Sequence, residues 1–554
     1  MSVHVFCNGP VFAADRNGTV SDAVAVEDGR IAAVGSEAVQ AYVDRADEVT
    51  DLTGRMLVPG FVDAHVHPVM GGLERTRCDL TGLLTVDAYQ GAVARYATDH
   101  PDAEWILGGG WSMEAFPNGR PTRQMLDSVM ADRPVLLPNR DHHSSWANSR
   151  ALELAGIDRR TPDPADGRIE RDHDGVPTGA LHEGAMDLVG DLAPPPTDDD
   201  LNQGLLAGQS YLHSLGIVGW ADAWTTWERE PSTIHAAYLR ADAAGRLTAR
   251  VSGALWWHRD CSLDQVPDQV ARLVAVRDAM PPSSSGRYRL DTVKIMQDGV
   301  AETFTAALLE PYLDGHGRPT PNAGLSFLPP EVLGAAVRAL TGSGFSVHFH
   351  ALGDRAVREC LDAVQSAQAG PGALGQSNTR HQLAHLQLVH PDDVRRFAEL
   401  GVTANMQALW ATHEPQMDDL TLPFLGEARG QRQYPFADLH AAGAALAMGS
   451  DWPVSTPDPW AALHVAVNRV LADAPERTPP LGPDQALPLE VALRAYTAGS
   501  ARAAGLAATT GTVTPGRAAD LVVLDRDPFT SPPGEIGQTR VVATYVAGEA
   551  VYRT

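Results

Sequence analysis

Eight short β-branched or apolar runs recur along the chain, separated by longer stretches with helical spacing, and each run tends to end in a polar residue. They are GFVDAH (60–65), GIVGWAD (216–222), ARVSGAL (249–255), TVKIMQD (292–298), FSVHFH (345–350), HQLAHL (381–386), VTANMQ (402–407) and AALAMGSD (444–451). Runs of this length between helical segments read as parallel strands with crossover helices. The segment PDDVRRFAELG (391–401) is one such helix, with Pro and acidic residues at its start, Val394, Phe397 and Leu400 at helical spacing, and Gly at its end. Eight strand–helix units in one chain predict a (β/α)8 TIM-like barrel, a fold whose chemistry gathers at the C-terminal ends of its strands.

The spacing of the units is uneven. About 150 residues separate the first two runs, where a common unit takes about 30. An inserted subdomain over residues 73–200 is therefore expected above the barrel mouth, ending in the Pro- and Asp-rich connector DLAPPPTDDD (191–200). Both ends of the chain are short strands punctuated by Gly, Asn and Asp turns. Residues 1–58 and 505–554 are thus expected to pair into one small β-sandwich domain, leaving 59–504 to the catalytic barrel.

The chemistry must come from the polar strand ends. Residues i and i+2 of a strand share a face, so His65 and His67 aim into one space, as two ligands of one metal must. His350 and His385 fall at or near the ends of the fifth and sixth runs, and Asp451 ends the eighth. Imidazoles with a carboxylate suit Zn²⁺, with Mn²⁺, Fe²⁺ or Co²⁺ admitted by the same ligand preferences. Taken singly, each residue has a plainer reading: an HxH pair can close a strand, a lone His can be a hydrogen-bonded core residue, and Asp451 can cap a turn. Their joint occurrence in strand order favours a divalent metal, one or two per chain.

Charge and cysteine usage narrow the partners. Lys and Arg number 43 against 69 Asp and Glu, a formal net charge of −26, which repels polyphosphate and anionic lipid. Nucleic acid and membrane partners are not expected; a small-molecule substrate is. The four cysteines, Cys7, Cys78, Cys261 and Cys360, have no CxxC spacing and read as reduced thiols of a cytoplasmic protein. The first residues lack a basic segment followed by an apolar stretch, and no run approaches the roughly 20 apolar residues that cross a bilayer.

The chain resembles the amidohydrolase superfamily, and within it the family 3 branch that includes N-substituted formamide deformylases. The resemblance rests on PGFVDAHVHP (59–68), VKIMQDGVAETFTAALLEPYLD (293–314), HFHALGDRAV (348–357), HLQLVHPDD (385–393), GSDWPV (449–454) and ADLVVLDRDP (519–528), with inserted blocks at 108–127, 133–157 and 174–186. It implies a metal-dependent hydrolase acting on a non-peptide C–N bond, most simply an amide. By this resemblance His65 and His67 hold the more buried metal and His350 and His385 the second, with a carboxylated Lys294 bridging them. Asp451 would hold the attacking water and move its proton to the leaving group. A plain Lys294 paired with Asp298 is the alternative.

Two departures matter: Ala384 stands where relatives often have Glu, and His348 competes with His350 as ligand. Trp111, His143 and Glu183 in the inserted blocks are the candidate substrate contacts. The density of Trp220, Trp224, Trp227, Trp256 and Trp257 suggests a substrate with an apolar or aryl substituent. The resemblance also implies a homodimer or larger homo-oligomer. Deamination of a ring C=N substrate and non-catalytic ligand binding are the competing readings.

Overall fold

The computed structural model describes residues 2–554 except 16, 17, 19, 226–232, 282–284, 370–378 and 476. All eight runs are strands, labelled here β1 (Phe61–Val66), β2 (Ile217–Asp222), β3 (Arg250–Trp256), β4 (Tyr288–Met296), β5 (Ser346–Ala351), β6 (Gln382–His385), β7 (Thr403–Met406) and β8 (Ala445–Met448). They form one sheet in sequence order, every neighbouring pair parallel. The chain is an α/β protein with a (β/α)8 TIM-like barrel.

Period-2 alternation sorts the two faces of each strand. In β5, Val347 and Phe349 join the large apolar core with Leu333, Val337 and Leu340 of helix Pro330–Gly342 and Val357, Leu361 and Val364 of helix Asp354–Ala369. The intervening His348 and His350 point the other way, into the barrel. The helix expected at 391–401 runs Pro391–Leu400 and stops at Gly401 in the left-handed region (φ 67°), where glycine carries no Cβ penalty.

β8 and β1 close the barrel through side chains and strand ends. The buried Asp63 carboxylate accepts the Ser450 N–H (3.0 and 3.2 Å) and the His65 N–H (3.1 Å). Asp451 N–H donates to His65 O (2.7 Å), His67 N–H to Trp452 O (2.8 Å) and Asn405 Nδ2 to Ala64 O (2.9 Å). The seam therefore ties the segment bearing Asp451 to β1, which bears His65, and to His67 one residue beyond it.

Strands from both ends of the chain pair in one sheet. Val3–Cys7, Val24–Glu27, Arg30–Val34 and Glu48–Asp51 form a four-stranded sheet, and a six-stranded sheet joins Val11–Phe12, Val20–Ser21 and Met56–Pro59 to Leu521–Leu524, Val541–Val546 and Glu549–Arg553. Phe6, Val24, Ile31, Leu57, Leu521 and Tyr545 pack in one core between them. Between β1 and β2 lies a further six-stranded sheet, from Cys78–Asp79 to Pro177–Glu183. The helix after β1, Pro68–Glu74, crosses helix Asp198–Ser214 closely enough that a Cβ at Gly72 would strike the Gly204 carbonyl. Among the described residues no helix is long and apolar enough to cross a membrane.

Candidate metal centre

The C-terminal ends of β1, β4, β5, β6 and β8 converge on one buried cluster. Asp451 Oδ1 lies 3.3 Å from His65 Nε2 and 3.1 Å from His67 Nε2, and its Oδ2 is 3.9 Å from His385 Nδ1. The ligand atoms of His65, His67 and Asp451 all lie within 4.8 Å of one another. The rings of His350 and His385 are 4.4 Å apart between centroids, and those of His65 and His385 4.8 Å. Lys294 Nζ sits 3.4 Å from His65 Nε2. All six expected ligands are thus brought together.

Three of the rings, those of His65, His350 and His385, are held from behind. His348 Nε2 hydrogen-bonds His65 Nδ1 at 2.9 Å, leaving His65 Nε2 toward Asp451. His350 Nδ1 donates to Asp298 Oδ1 at 3.3 Å. The His385 N–H donates to Gln407 Oε1 (2.7 Å), and its ring stacks on Trp410 at 5.3 Å and 6°. Such outer partners fix the orientation and tautomer of metal-ligating imidazoles. Asp298 also accepts the Ala307, Leu352 and Gly353 N–H groups, so its partner is His350 and the simple Lys294–Asp298 pairing does not occur.

Burial sets the charges. It drives the His65, His348, His350 and His385 imidazoles well below their usual range, assisted by neighbouring cationic groups, so their lone pairs are free. Burial likewise lowers Lys294 to about 7, with the Asp451 charge opposing. Burial pushes the Asp451 carboxyl up, but the His67 hydrogen bond and the His385, His67 and Lys294 side chains outweigh it and hold it at about 2. Among the described residues, His67 Nδ1 and both ring nitrogens of His385 are buried without a hydrogen-bond partner. Buried polar atoms are ordinarily paired. Neutral imidazoles and an ionised carboxylate with unspent lone pairs around one point are a donor set that fits a divalent cation.

The remaining candidates separate. Trp111 lies in the core of the inserted sheet, fully buried, its Nε1 donating to Leu137 O (2.7 Å) and its ring against Phe116 and Trp146. His143 and Glu183 do reach the cluster: Nδ1 and Oε1 are 2.8 Å apart, and the His143 ring is 5.3 Å from that of His350. Glu183 lifts His143 to about 9 although burial opposes it. Trp220 and Trp257 are buried in the barrel core, while Trp224 and Trp256 stack face to face (4.6 Å, 20°); Trp227 lies outside the described residues. Sequence pattern alone did not show the role of Gln407, or the support given by His348 and Asp298. The signal was present, since Asp298 and Gln407 each end one of the eight runs.

Residues 48–552 match the model for the amidohydrolase family. The chain belongs to that family. It is 31% identical to Protein LONG AFTER FAR-RED 3 of Arabidopsis thaliana, over 98% of this chain and 91% of that one. It is 30% identical to the N-substituted formamide deformylase of Arthrobacter pascens, over 98% and 97%. An uncharacterized metal-dependent hydrolase from Pyrococcus horikoshii has the same fold, with a TM-score of 0.73 at 24% identity over 96% and 99% of the two chains. This member of the amidohydrolase family is a hydrolase whose buried His–His–Asp cluster suits a divalent metal.

Proposed function

We propose that the protein hydrolyses the C–N bond of a small non-peptide amide to an acid and an amine, with an N-substituted formamide as its substrate. The observation that carries this reading is the convergence of Asp451 on His65 and His67. His65, His67 and Asp451 would hold one divalent ion, Zn²⁺ by ligand type, and His350 with His385 a second. Lys294, buried and held near 7, supplies the neutral amine that can take up CO2 as a bridging carbamate. When bound, the ion would supply Lewis-acid polarisation of the scissile carbonyl and lower the pKa of water toward about 7.

The protein's own groups do the rest. Asp451 stays ionised through the neutral range and is placed to accept a proton from the attacking water and return it to the leaving nitrogen. Asp298 and His348 keep two imidazoles in register, so the centre does not rearrange as charge develops. Trp256 is aligned with Lys294 across β3 and β4 and carries Trp224 stacked on it. This aromatic wall supports an apolar or aryl substituent on the substrate. The name of the Arthrobacter relative supports the formamide, and four free thiols support a reducing, cytoplasmic setting.

The test is a panel of N-substituted formamides and higher amides assayed on zinc-loaded protein for acid and amine release. Formate with amine is the expected product pair. Ammonia release from a ring substrate with no amide turnover would replace this reading with a deaminase. Asp451→Asn should retain most of its metal and lose turnover, whereas an active Asp451→Asn enzyme removes Asp451 from proton transfer.

A further inference from the structure

The inserted sheet delivers one imidazole to the metal cluster and holds it there on several supports. His143 donates its backbone N–H to Asp141 Oδ1 (2.9 Å) and receives the Glu183 N–H on its carbonyl (3.1 Å). Its Nδ1 meets Glu183 Oε1 at 2.8 Å, and the same oxygen accepts Thr305 Oγ1 (2.9 Å) from the loop after β4. Thr305 is fixed in turn by the Val300 N–H (3.0 Å) and Thr303 Oγ1 (2.7 Å). Gly299 leaves the room this requires, since a Cβ there would collide with both Thr305 Oγ1 and Glu183 Oε1.

These supports carry a conformational cost. Glu183 is in the left-handed region (φ 52°) and so is His142 (φ 62°), a backbone state that non-glycine residues adopt at an energetic penalty and that gathers at functional sites. The His143–Glu183 pair is itself buried, with side chains 11% and 2% exposed. A buried ion pair is a weak source of stability, so structural need alone accounts poorly for it. With Nδ1 committed to the carboxylate, the ring's other nitrogen, Nε2, makes no hydrogen bond within the described residues. The ring stands 5.3 Å from His350, between centroids.

We propose that His143 Nε2 hydrogen-bonds the acyl oxygen of the substrate and the carboxylate of the product, with Glu183 and Thr305 as positioning residues that fix the ring. This rests on the hydrolase reading above. The inserted segment then supplies part of the active site and confines the acyl group to the His350 side, opposite in role to the tryptophan pair that faces the amine substituent. A small acyl group, formyl before longer chains, fits a donor packed this close to a ligand ring.

The experiment is calorimetric titration of zinc-loaded wild type, His143→Ala, His143→Gln and Glu183→Gln with sodium formate, alongside metal content and, on any amide turned over, kcat and KM. His143→Ala should bind formate on the order of 10-fold more weakly, the effect of one charge-assisted hydrogen bond, with metal content unchanged. His143→Gln, which keeps a donor, should recover part of the loss. Glu183→Gln should weaken binding less than His143→Ala, and it stands as the second variant if His143→Ala does not fold. Equal formate affinity in His143→Ala, loss of metal from it, or no formate binding by the wild type overturns the inference. Formate binding that depends on His143 in a protein that cleaves no amide refutes the amide substrate of the proposed function and leaves His143 as the residue that binds the carboxylate.

Discussion

Replacing Asp298 by Ala tests whether the centre is built from behind, as its geometry indicates. The carboxylate is fully buried and accepts four donors: Leu352 N–H (3.0 Å) and His350 Nδ1 (3.3 Å) on Oδ1, Ala307 N–H (3.0 Å) and Gly353 N–H (2.8 Å) on Oδ2. Removing it leaves three buried amides without a partner, each costing roughly 1–3 kcal/mol. A water entering the space relieves part of this, so a loss of roughly 3–6 kcal/mol is expected. Hydrogen exchange resolves the effect locally, because the amides of Ala307, Leu352 and Gly353 should exchange at least about 10-fold faster for every 1.4 kcal/mol lost. His350 loses the acceptor that fixes its tautomer, and resistance of the bound metal to a chelator should fall by about 10–100-fold. Unchanged exchange at these three amides together with unchanged metal retention would show that Asp298 supports neither the loop nor the ligand.

Stability should also fall with acid through two remote histidines. Burial drives His213 and His381 down to about 4, against 6.5 when unfolded, so the unfolded chain binds more protons between these values. Their contribution is complete above pH 6.5 and is lost as pH falls toward 4, about 3 kcal/mol at most for each. Melting curves from pH 7 to 4 should therefore be flatter for the double variant His213→Gln/His381→Gln, and an identical slope refutes the assignment. Trp256→Ala should reduce the preference for N-benzyl over N-methyl amides by about 10-fold in kcat/KM with metal content intact; an unchanged preference places the substituent elsewhere.

The barrel was legible because its signal is repeated. Eight runs of one kind, with helix start and stop residues between them, leave few folds that accommodate them all, and boundaries moved by only a few residues. The proximity of His65 and His67 was legible because i, i+2 residues of extended chain share a face, and although β1 stops at Val66 both Nε2 atoms lie within 3.3 Å of Asp451 Oδ1. Trp111 shows the opposite case: a tryptophan in a Gly-rich block has the same local sequence whether it lines a pocket or fills a core, and here Phe116 and Trp146 close around it. The choice between His348 and His350 was open for a similar reason, since both face inward from β5. It takes the third dimension to put His348 behind His65, while His350 stands against His385.

His385 marks where periodicity fails. In the β5–β6 register Phe349 lies beside Leu383 and His350 beside Ala384. Phe349 and Leu383 belong to the apolar core, so strict alternation would send His385, two residues after Leu383, outward with them and away from the metal site. The ring is instead 4.4 Å from His350 and 4.8 Å from His65. The backbone makes the difference: His385 and Leu386 are both in the left-handed region (φ 80° and 53°), and Asp451 just beyond β8 is as well (φ 55°). A left-handed residue at a strand end breaks the alternation and turns its side chain back across the barrel mouth, at a cost of order 1–3 kcal/mol. Glycine is the usual sequence mark of such a turn, and neither position has one, because the residue that must make the turn is also the residue that must reach the centre. The same holds at Glu183, so the positions least readable from local pattern are those where side-chain chemistry and backbone conformation are demanded of a single residue.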